Sequence, residues 1–258
     1  MRYFIILILV GSAFGQMIQA IVAGALPEMV FTLPAPSASF NMTYTKTGAT
    51  LHWIWPDGTT SDSNNPTVNI PAGVIRVQSR DGFSGVTSIV SGNVLSGTLP
   101  LLPTGLIELS INYSTFSGTL PALPAGLADL GLDASAFSGT LPALPAGMIT
   151  MDLYTSTFSG ILPTLPAGLT ILYLVSSTFS GYPAGAFAAQ KSLSASYIQF
   201  SNVADVNSAL VDAVTSLGIS GRVICNPFWI AGTSPAPTGA GLTAKAALVS
   251  AGWTVTTN

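Results

Sequence analysis

The sequence predicts a β-rich α/β solenoid with an N-terminal β cap and a C-terminal helix-containing cap. Three observations in the 258-residue chain support this fold class. A segment of the form FSGTLP recurs at a fixed interval, apolar residues alternate shortly before each copy, and the hydrophobic period changes from that of strands to that of helices near the C-terminus. Stacked coils with capped ends account for all three, because an uncapped coil leaves its apolar core exposed.

The repeat defines the coil length. Copies of the segment begin 21 residues apart, at Leu95, Phe116, Phe137, Phe158 and Phe179. Between them the unit reads LPxLPxGLxxLxLxxSxFSGT, with Met sometimes in place of Leu. A constant period of this size is typical of repeat proteins, in which each unit buries its apolar face only against its neighbours. We therefore predict coils of 21 residues.

Each coil has a strand, a turn and a return segment. The leucines of Leu127–Leu132 alternate as in a short strand with one face directed inward. Ser135 follows where the chain must turn, and Phe137 fills the interior of the coil. Gly139 and Pro142 then direct the return along the other side. This pattern predicts a parallel ladder of strands on one face and extended or turn-like segments opposite.

The unit resembles the leucine-rich-repeat family. The pattern LxxLxLxx(N/S)x(L/F) occurs at Leu106–Phe116, Leu127–Phe137, Met148–Phe158 and Leu169–Phe179. The FSGTLP part is similar to the return strand of plant-type repeats, and LPxLPxGL to short repeats of bacterial surface and effector proteins. The usual Asn of the turn is Ser in these copies, which weakens the side-chain ladder without removing it. The resemblance implies a surface protein of bacterial or phage type. A parallel β-helix is the structural alternative.

The repeat and its flanks give the domain boundaries. We expect an N-terminal β cap over residues 28–73 and a solenoid over 74–203, whose first coils, starting at Val74 and Val86, are shortened. The capping unit spans 204–258. Its apolar residues from Val206 to Leu217 have helical spacing, a strand follows at Arg222–Trp229, and a second helix begins at Thr238 or Thr243.

The predicted N-terminal cap contains an aromatic strand. Phe40–Thr45 and Thr50–Trp55 alternate as strands, and the run WIWPDGTT is similar to a hairpin of PKD-like surface modules. Trp53 and Trp55 share one face, where they either cover the solenoid core or form an exposed platform for a sugar. His52 lies on the opposite face and is expected to be a surface or hydrogen-bonding residue.

The first residues are typical of an export signal. Met1-Arg2 is followed by an apolar segment, and small residues before Gln16 fit a cleaved signal peptide of residues 1–15. The uncharged stretch continues to about residue 26, so an uncleaved membrane anchor or assembly helix is the alternative. Either interpretation predicts a protein that is secreted or held at a cell or virion surface, with membrane contact only through this segment.

Composition excludes several functions. Only 7% of residues are charged, and no Lys or Arg occurs between Arg80 and Lys191, so nucleic-acid binding is not expected. A single cysteine, Cys225, excludes an intrachain disulfide, and no nucleophile motif surrounds the single histidine, His52. No phosphate-binding glycine loop is present. We therefore predict no enzymatic activity, no cofactor and no metal centre.

The strand face of the coils is the candidate binding site. Glu108 and Asp129 occupy one column of adjacent coils, and further acidic and tyrosine side chains point outward in neighbouring columns. This face is either merely solvated, or a surface that binds an extracellular protein or glycan, or a calcium site. The residues assigned to ligand binding are Glu108, Tyr113, Asp129, Asp133, Asp152, Tyr154 and Tyr173.

Two functions fit these features. The first is an extracellular recognition or adhesion protein that binds a protein or glycan ligand on its ladder face. The second is a structural subunit of an extracellular filament, virion or surface layer, favoured by the low charge and by the long apolar N-terminus. In that case the chain forms a homo-oligomer or filament.

Overall fold

The computed structural model of the chain describes residues 26–186, 195–217, 228–231 and 233–258. The predicted signal peptide or anchor and Cys225 lie outside this part of the chain. The described residues form a β-solenoid with two sheets and two helices, which confirms the prediction of a β-rich solenoid. Among these residues, neither helix has the length and apolar character needed to cross a membrane.

The first sheet, here called the ladder sheet, has ten strands and extends along the whole described solenoid. From β7 onward its strands are parallel, whereas β2 and β5 pair in antiparallel fashion. Its strands, in spatial order, are β18 (Val255–Thr257), β17 (Phe228–Ile230), β16 (Ala195–Phe200), β15 (Ile171–Phe179), β13 (Thr150–Asp152), β11 (Asp129–Gly131), β9 (Glu108–Ser110), β7 (Val86–Ser91), β2 (Ser37–Lys46) and β5 (Thr67–Ile70).

The second sheet, here called the return sheet, is formed by the FSGT segments of the coils and by N-terminal strands. It lies on the side opposite the ladder sheet within each coil, and the core fills the space between the two. Its eight strands, in spatial order, are β14 (Thr157–Ser159), β12 (Ala136–Thr140), β10 (Thr115–Thr119), β8 (Ser96–Thr98), β1 (Glu28–Leu33), β6 (Gly73–Gln78), β3 (His52–Ile54) and β4 (Thr60–Asp62).

The interior of each coil is filled by the apolar positions of the repeat. Leu127, Leu130 and Leu132 are fully buried, as is Phe137, which follows the turn. The equivalent leucines and phenylalanines of neighbouring coils are buried to the same degree, so the same positions of the repeat form the core along the solenoid. Burying a large apolar side chain contributes about 1.5–3 kcal/mol. Coil stacking is therefore what stabilises strands that are only three to five residues long.

A ladder of buried serines closes the turn of each coil. The hydroxyl of Ser135 donates to the backbone carbonyl of Ser114 at 3.2 Å, and Ser156 and Ser177 each repeat this bond 21 residues later, at 2.9 and 2.8 Å. Ser177 Oγ also accepts a hydrogen bond from the backbone N–H of Phe158. Serine thus satisfies backbone groups of the turn, and its hydrogen bonds continue from coil to coil between Ser114 and Ser177.

The return strand requires a glycine. Gly139 has φ of +86°, a left-handed conformation that is unfavourable for residues with a Cβ atom. The methyl group of Thr119 in the preceding coil lies 3.5 Å from the place where that Cβ would be. The same Thr-over-Gly contact recurs between Thr140 and Gly160 at 3.3 Å. The SGT sequence therefore sets both the local turn and the close stacking of the return sheet.

The N-terminal region differs from the sequence prediction in one respect. β6, which begins next to Val74, pairs in antiparallel fashion with β1 and β3 in the return sheet and not with the ladder strands. The parallel ladder begins with β7, whose first residue is Val86, since β7 pairs in parallel with β9. The prediction that the ladder starts at Val74 is wrong. The alternation of Val74–Gln78 is common to both kinds of sheet, so it does not reveal which sheet the strand joins.

The two tryptophans of the aromatic strand belong to the core. The rings of Trp53 and Trp55 stack at 5.1 Å, and the ring of Phe40 packs edge-on against both. Trp53 is completely buried and Trp55 is 4% exposed, so neither provides a platform for a sugar. His52, on the opposite face, is half-exposed and its Nδ1 lies 2.7 Å from Asp62 Oδ1, as expected for a surface hydrogen-bonding residue.

The C-terminal region continues the ladder with helices in place of return strands. Helix α1 (Val203–Leu217) connects β16 with β17, and helix α2 (Gly239–Ser250) connects β17 with β18. Asn207 of α1 joins the helices, because its side chain accepts from the backbone N–H of Thr238 and donates to the Thr238 hydroxyl. Of the predicted strand Arg222–Trp229, only residues 228 and 229 are described, and both lie in β17.

Candidate functional site

The outward side chains of the ladder sheet form columns that run across the coils. Residues directly opposite each other in parallel strands fix these columns, and neighbouring strands lie about 4.8 Å apart. The first column contains Glu108, Asp129, Thr150 and Ile171. The second contains Ser110, Gly131, Asp152 and Tyr173. We call this surface, together with the residues that follow each strand, the ladder face.

The first column places two carboxylates side by side. Glu108 and Asp129 are opposite each other in the register of β9 and β11, as the spacing in the sequence requires. Ser88 of the preceding coil donates to Glu108 Oε2 at 2.7 Å, which orients that carboxylate along the ladder. Both side chains are half-buried. The column therefore presents two negative charges to any ligand that lies across the first coils.

Residues of the second column and residues that follow the ladder strands meet at Gly131, which lies between Ser110 and Asp152. Because Gly131 has no side chain, the amide of Asn112 lies over it, with Oδ1 3.0 Å and Nδ2 3.4 Å from the place where a Cβ of Gly131 would be. Asp133, which follows Gly131 on the chain, accepts a hydrogen bond from the backbone N–H of Tyr113 at 2.9 Å. We call the group Asn112, Gly131, Asp133 and Asp152 the Gly131 slot.

Two oxygen atoms of the slot lack hydrogen-bond donors. Asn112 Oδ1 and Asp152 Oδ1 are both shielded from solvent and have no partner in the structure. Over the described residues, these are the two buried side-chain polar atoms left in that condition. Buried polar atoms in folded proteins are nearly always paired, and an unpaired one costs about 1–3 kcal/mol. Both atoms belong to residues beside Gly131 on the ladder face.

The electrostatics of the slot follow from burial and from nearby acids. Burial raises the pKa of Asp152 above its ordinary value, and the negative charge of Asp133 raises it further. The pKa of the Tyr173 hydroxyl is also raised, first by burial and then by Tyr197 and Asp152. The backbone N–H of Tyr154 donates to the Asp152 carboxylate and lowers its pKa, but burial and Asp133 outweigh this effect.

Tyrosines surround the slot. Tyr113 and Tyr154 are 66% and 49% exposed, and Tyr113 adopts a left-handed backbone conformation with φ of +64°. Tyr173 packs edge-to-face against Tyr197 with ring centroids 5.2 Å apart. Tyr197 was missing from the sequence-based site, although its place one residue before the apolar Ile198 of a predicted strand was a usable signal. In the backbone register of β16 and β17, residue 229 is opposite Tyr197.

The outer surface of the return sheet has a different composition. Its strands β10 and β12 repeat the sequence FSGT, in which the Phe is buried while the Ser, Gly and Thr are exposed. The exposed positions carry hydroxyl groups and no charge from one coil to the next. The two faces of the solenoid therefore differ. Equivalent outward residues are the same from coil to coil on the return face and change from coil to coil on the ladder face.

No arrangement typical of catalysis or of a metal centre occurs in the described part of the chain. No three His, Cys, Asp or Glu side chains there lie close enough together to hold a metal ion. The ion pair of His52 with Asp62 is at the N-terminal end of the return sheet, in a hairpin separate from the ladder face.

Comparison with known proteins gives the following results. No protein-family model matches the sequence, and no curated protein matches it. Among solved structures, the BIR2 ectodomain from Arabidopsis thaliana is 19% identical with a TM-score of 0.35, and the match covers 43% of this chain and 67% of that one. A chain of the BIR3–SERK2 complex from Arabidopsis thaliana is 20% identical with a TM-score of 0.33, covering 43% and 68%.

Proposed function

We propose that the chain is a non-enzymatic recognition or adhesion protein of the leucine-rich-repeat type, secreted or displayed at a cell or virion surface. It binds an extracellular protein or glycan on its ladder face. The main support is the contrast between the faces: side chains vary from coil to coil on the ladder face, whereas those of the core and the return face repeat. Variation confined to one face is expected where that face recognises a ligand.

The ligand-binding residues in this proposal are those of the ladder face identified above. Glu108 and Asp129 form the first acidic pair, Asp133 and Asp152 the second, and the tyrosines lie beside them. Tyrosine rings combine apolar contact area with a polar end, which suits them to both protein and glycan ligands. The bacterial or phage origin suggested by the repeat belongs to the same proposal.

The test is a screen of the purified chain against arrays of extracellular proteins and glycans. Any ligand found is then titrated against a double variant, Glu108→Ala with Asp129→Ala, and against Ser117→Ala on the return face as a control. The proposal predicts lost or strongly weakened binding for the double variant alone. Unchanged binding by the double variant would exclude the acidic pair from the site.

A second candidate function is a structural subunit of an extracellular filament, virion or surface layer. The observation that favours it is the pair of strands at the ends of the ladder sheet, β18 and β5, each with one paired neighbour in the described chain. With only 7% charged residues, little electrostatic repulsion opposes end-to-end association.

Mass spectrometry and light scattering on native material separate the two functions. A monomer that lacks residues 1–15 contradicts the structural subunit. Ordered polymers that retain those residues contradict the free recognition protein. The two measurements also decide between a cleaved signal and a retained anchor.

A further inference from the structure

We propose that copies of this chain associate head to tail, with β18 of one copy pairing in parallel with β5 of the next, so that the ladder sheet continues from chain to chain. The partner is a second copy of this chain. Such an interface rests on the second candidate function, whose subunits it joins, and does not involve ligand binding by the ladder face. Its support is the direction of the two end strands, their composition, and the charges at the two ends.

The two end strands of the ladder sheet point in the same direction. β2 is antiparallel to β7, and β5 is antiparallel to β2, so β5 has the direction of β7. From β7 to β18 every neighbouring pair is parallel. β18 of one copy can therefore pair with β5 of another in the way that already joins the coils within the chain. β18 has three residues and β5 has four, so this pair is as long as those between the three-residue strands β9, β11 and β13.

Both end strands lack the features that protect sheet edges. An edge strand has unpaired N–H and C=O groups that accept a further strand, and soluble proteins commonly prevent this with a charged residue or a proline. β5 has the sequence TVNI and β18 the sequence VTT, with neither a charge nor a proline. Within the described residues, each strand has one paired neighbour. The N-terminal edge of the return sheet differs, because β4 carries Asp62.

The last helix presents apolar side chains toward the C-terminal end of the solenoid. α2 packs against α1 of the preceding coil, where Gly241 lies against Asn207, and Leu248 is buried. Leu242 and Val249 are instead 56% and 50% exposed. These two residues are seven apart and therefore share one side of the helix, away from the side that contacts α1. Their burial against a second copy would contribute hydrophobic free energy to the association.

The side-chain charges at the two ends have opposite signs. Over residues 51–75, which include β3, β4 and β5, the side chains charged at pH 7 are Asp57 and Asp62. Over residues 239–257, which include α2 and β18, the charged side chain is Lys245. Its Nζ donates to Thr257 Oγ1 of β18 at 2.8 Å, so the positive charge lies beside the edge strand. Opposite ends therefore attract and like ends repel, which favours head-to-tail association.

The experiment uses variants that each block one end. Asn69→Lys places a cation on β5, and Thr256→Lys places one on β18, while Ser138→Lys adds the same side chain to the return face as a control. Sedimentation velocity measures the mass of the full purified chain over a range of concentrations. We expect the mass of the wild type and of Ser138→Lys to increase with concentration, and each edge variant to stay monomeric, because every pair in its sample needs a blocked strand. Melting temperatures confirm that each variant is folded.

A mixture of the two edge variants tests the direction of association. Asn69→Lys retains an unblocked β18, and Thr256→Lys retains an unblocked β5, so one copy of each can pair. Both outer ends of that pair are blocked, so it cannot extend. We expect a species of twice the monomer mass in the mixture and in neither variant alone, since a head-to-tail contact joins two different surfaces.

Three results overturn the inference. The first is a wild type that is monomeric at every concentration, which leaves ladder-face recognition in place if the monomer captures a ligand. The second is association of both edge variants to the wild-type mass, which would keep the structural subunit but place its interface elsewhere. The third is a mixture of monomeric edge variants that forms no dimer, which would contradict the pairing of β18 with β5.

Discussion

The two faces of the solenoid are built from the same repeat but use it differently. On the return face, Ser117, Ser138 and Ser159 occupy equivalent places in successive coils. On the ladder face, one column changes from Ser110 through Gly131 to Asp152. Both faces enclose one core, in which the same leucine and phenylalanine positions recur.

This difference distinguishes the positions of the repeat at which folding restricts the residue type from those at which it does not. A return strand needs Gly for its left-handed turn and a small neighbour for close stacking, so its outer residues are restricted. A ladder strand needs only its inward side chains, because alternate residues of a strand point to opposite sides. The ladder face can therefore vary without affecting the fold, and that freedom makes it the surface suited to recognition.

The largest effect is expected in the core that both faces share. Phe137→Ala removes a completely buried ring from the core between the two sheets. We expect a loss of about 3–5 kcal/mol in the free energy of unfolding, measured by urea denaturation. A loss below about 1 kcal/mol would contradict the close stacking of the coils.

Two serines of one coil, one buried and one exposed, test whether the buried hydroxyl group is the one that stabilises the fold. Ser135→Ala removes the hydroxyl that donates to the carbonyl of Ser114, and we expect a loss of about 1–3 kcal/mol. Ser138→Ala, on the exposed return face, is the matched control and should change the free energy of unfolding by less than about 0.5 kcal/mol. Equal effects at the two positions would mean that the serine ladder does not stabilise the turn.

Two glycines, one in a return strand and one after it, test whether the return strand requires Gly. Gly139→Ala introduces a Cβ at φ of +86° and should cost about 1–2 kcal/mol. At Gly147 the space around a Cβ is open and φ is not in the left-handed region, so Gly147→Ala should be nearly neutral. Chemical denaturation of both variants measures the difference in their free energies of unfolding. If Gly139→Ala loses no stability, the positive φ does not explain why Gly recurs in the SGT segment.

The smallest effect is expected on the ladder face and depends on pH. The pKa of Asp152 is raised in the folded protein by burial and by Asp133, so its ionisation destabilises the fold. This cost is absent below the unfolded value of about 3.8, appears as pH rises, and is complete above the raised folded pKa. Asp152→Asn should therefore stabilise the protein slightly near neutral pH, because solvent screens a half-exposed carboxylate, and should not stabilise it at pH 3.

Thermal melts of the wild type and Asp152→Asn at pH 3 and pH 7 measure this difference. Asp62→Asn, in the exposed hairpin, serves as the charge-matched control. A destabilised Asp152→Asn variant at pH 7 would mean that the hydrogen bond from the backbone N–H of Tyr154 outweighs the cost of burying the charge of Asp152.

The fold was largely predictable from the sequence because the constant spacing of the repeat fixes which residues of neighbouring strands lie opposite each other. The spacing of Leu109 and Leu130 placed the ladder strands, and the same spacing placed Glu108 beside Asp129. Val74 was assigned to the wrong sheet because alternation specifies a strand and its buried face but not its partner. Antiparallel pairing of β6 with β1 depends on contacts between distant parts of the chain.

The candidate site was predictable in part. The columns followed from the register, but the Gly131 slot did not, because a glycine in a strand marks only the lack of a side chain. Whether the oxygens of Asn112 and Asp152 are paired depends on side-chain orientation, which the spacing of residues in the sequence does not determine. Tyr197 was missed because it lies beyond the last regular repeat, where the spacing between ladder strands changes.

The most direct test of the ladder face as the recognition surface is a paired substitution that adds the same side chain to each face. Thr150→Lys lies in the first column of the ladder face, and Ser138→Lys lies on the return face. Both variants are titrated with a saturable ligand obtained from the extracellular protein and glycan arrays. We predict that Thr150→Lys weakens binding at least about tenfold while Ser138→Lys leaves it unchanged. Loss of binding by Ser138→Lys, with Thr150→Lys unaffected, would contradict the account.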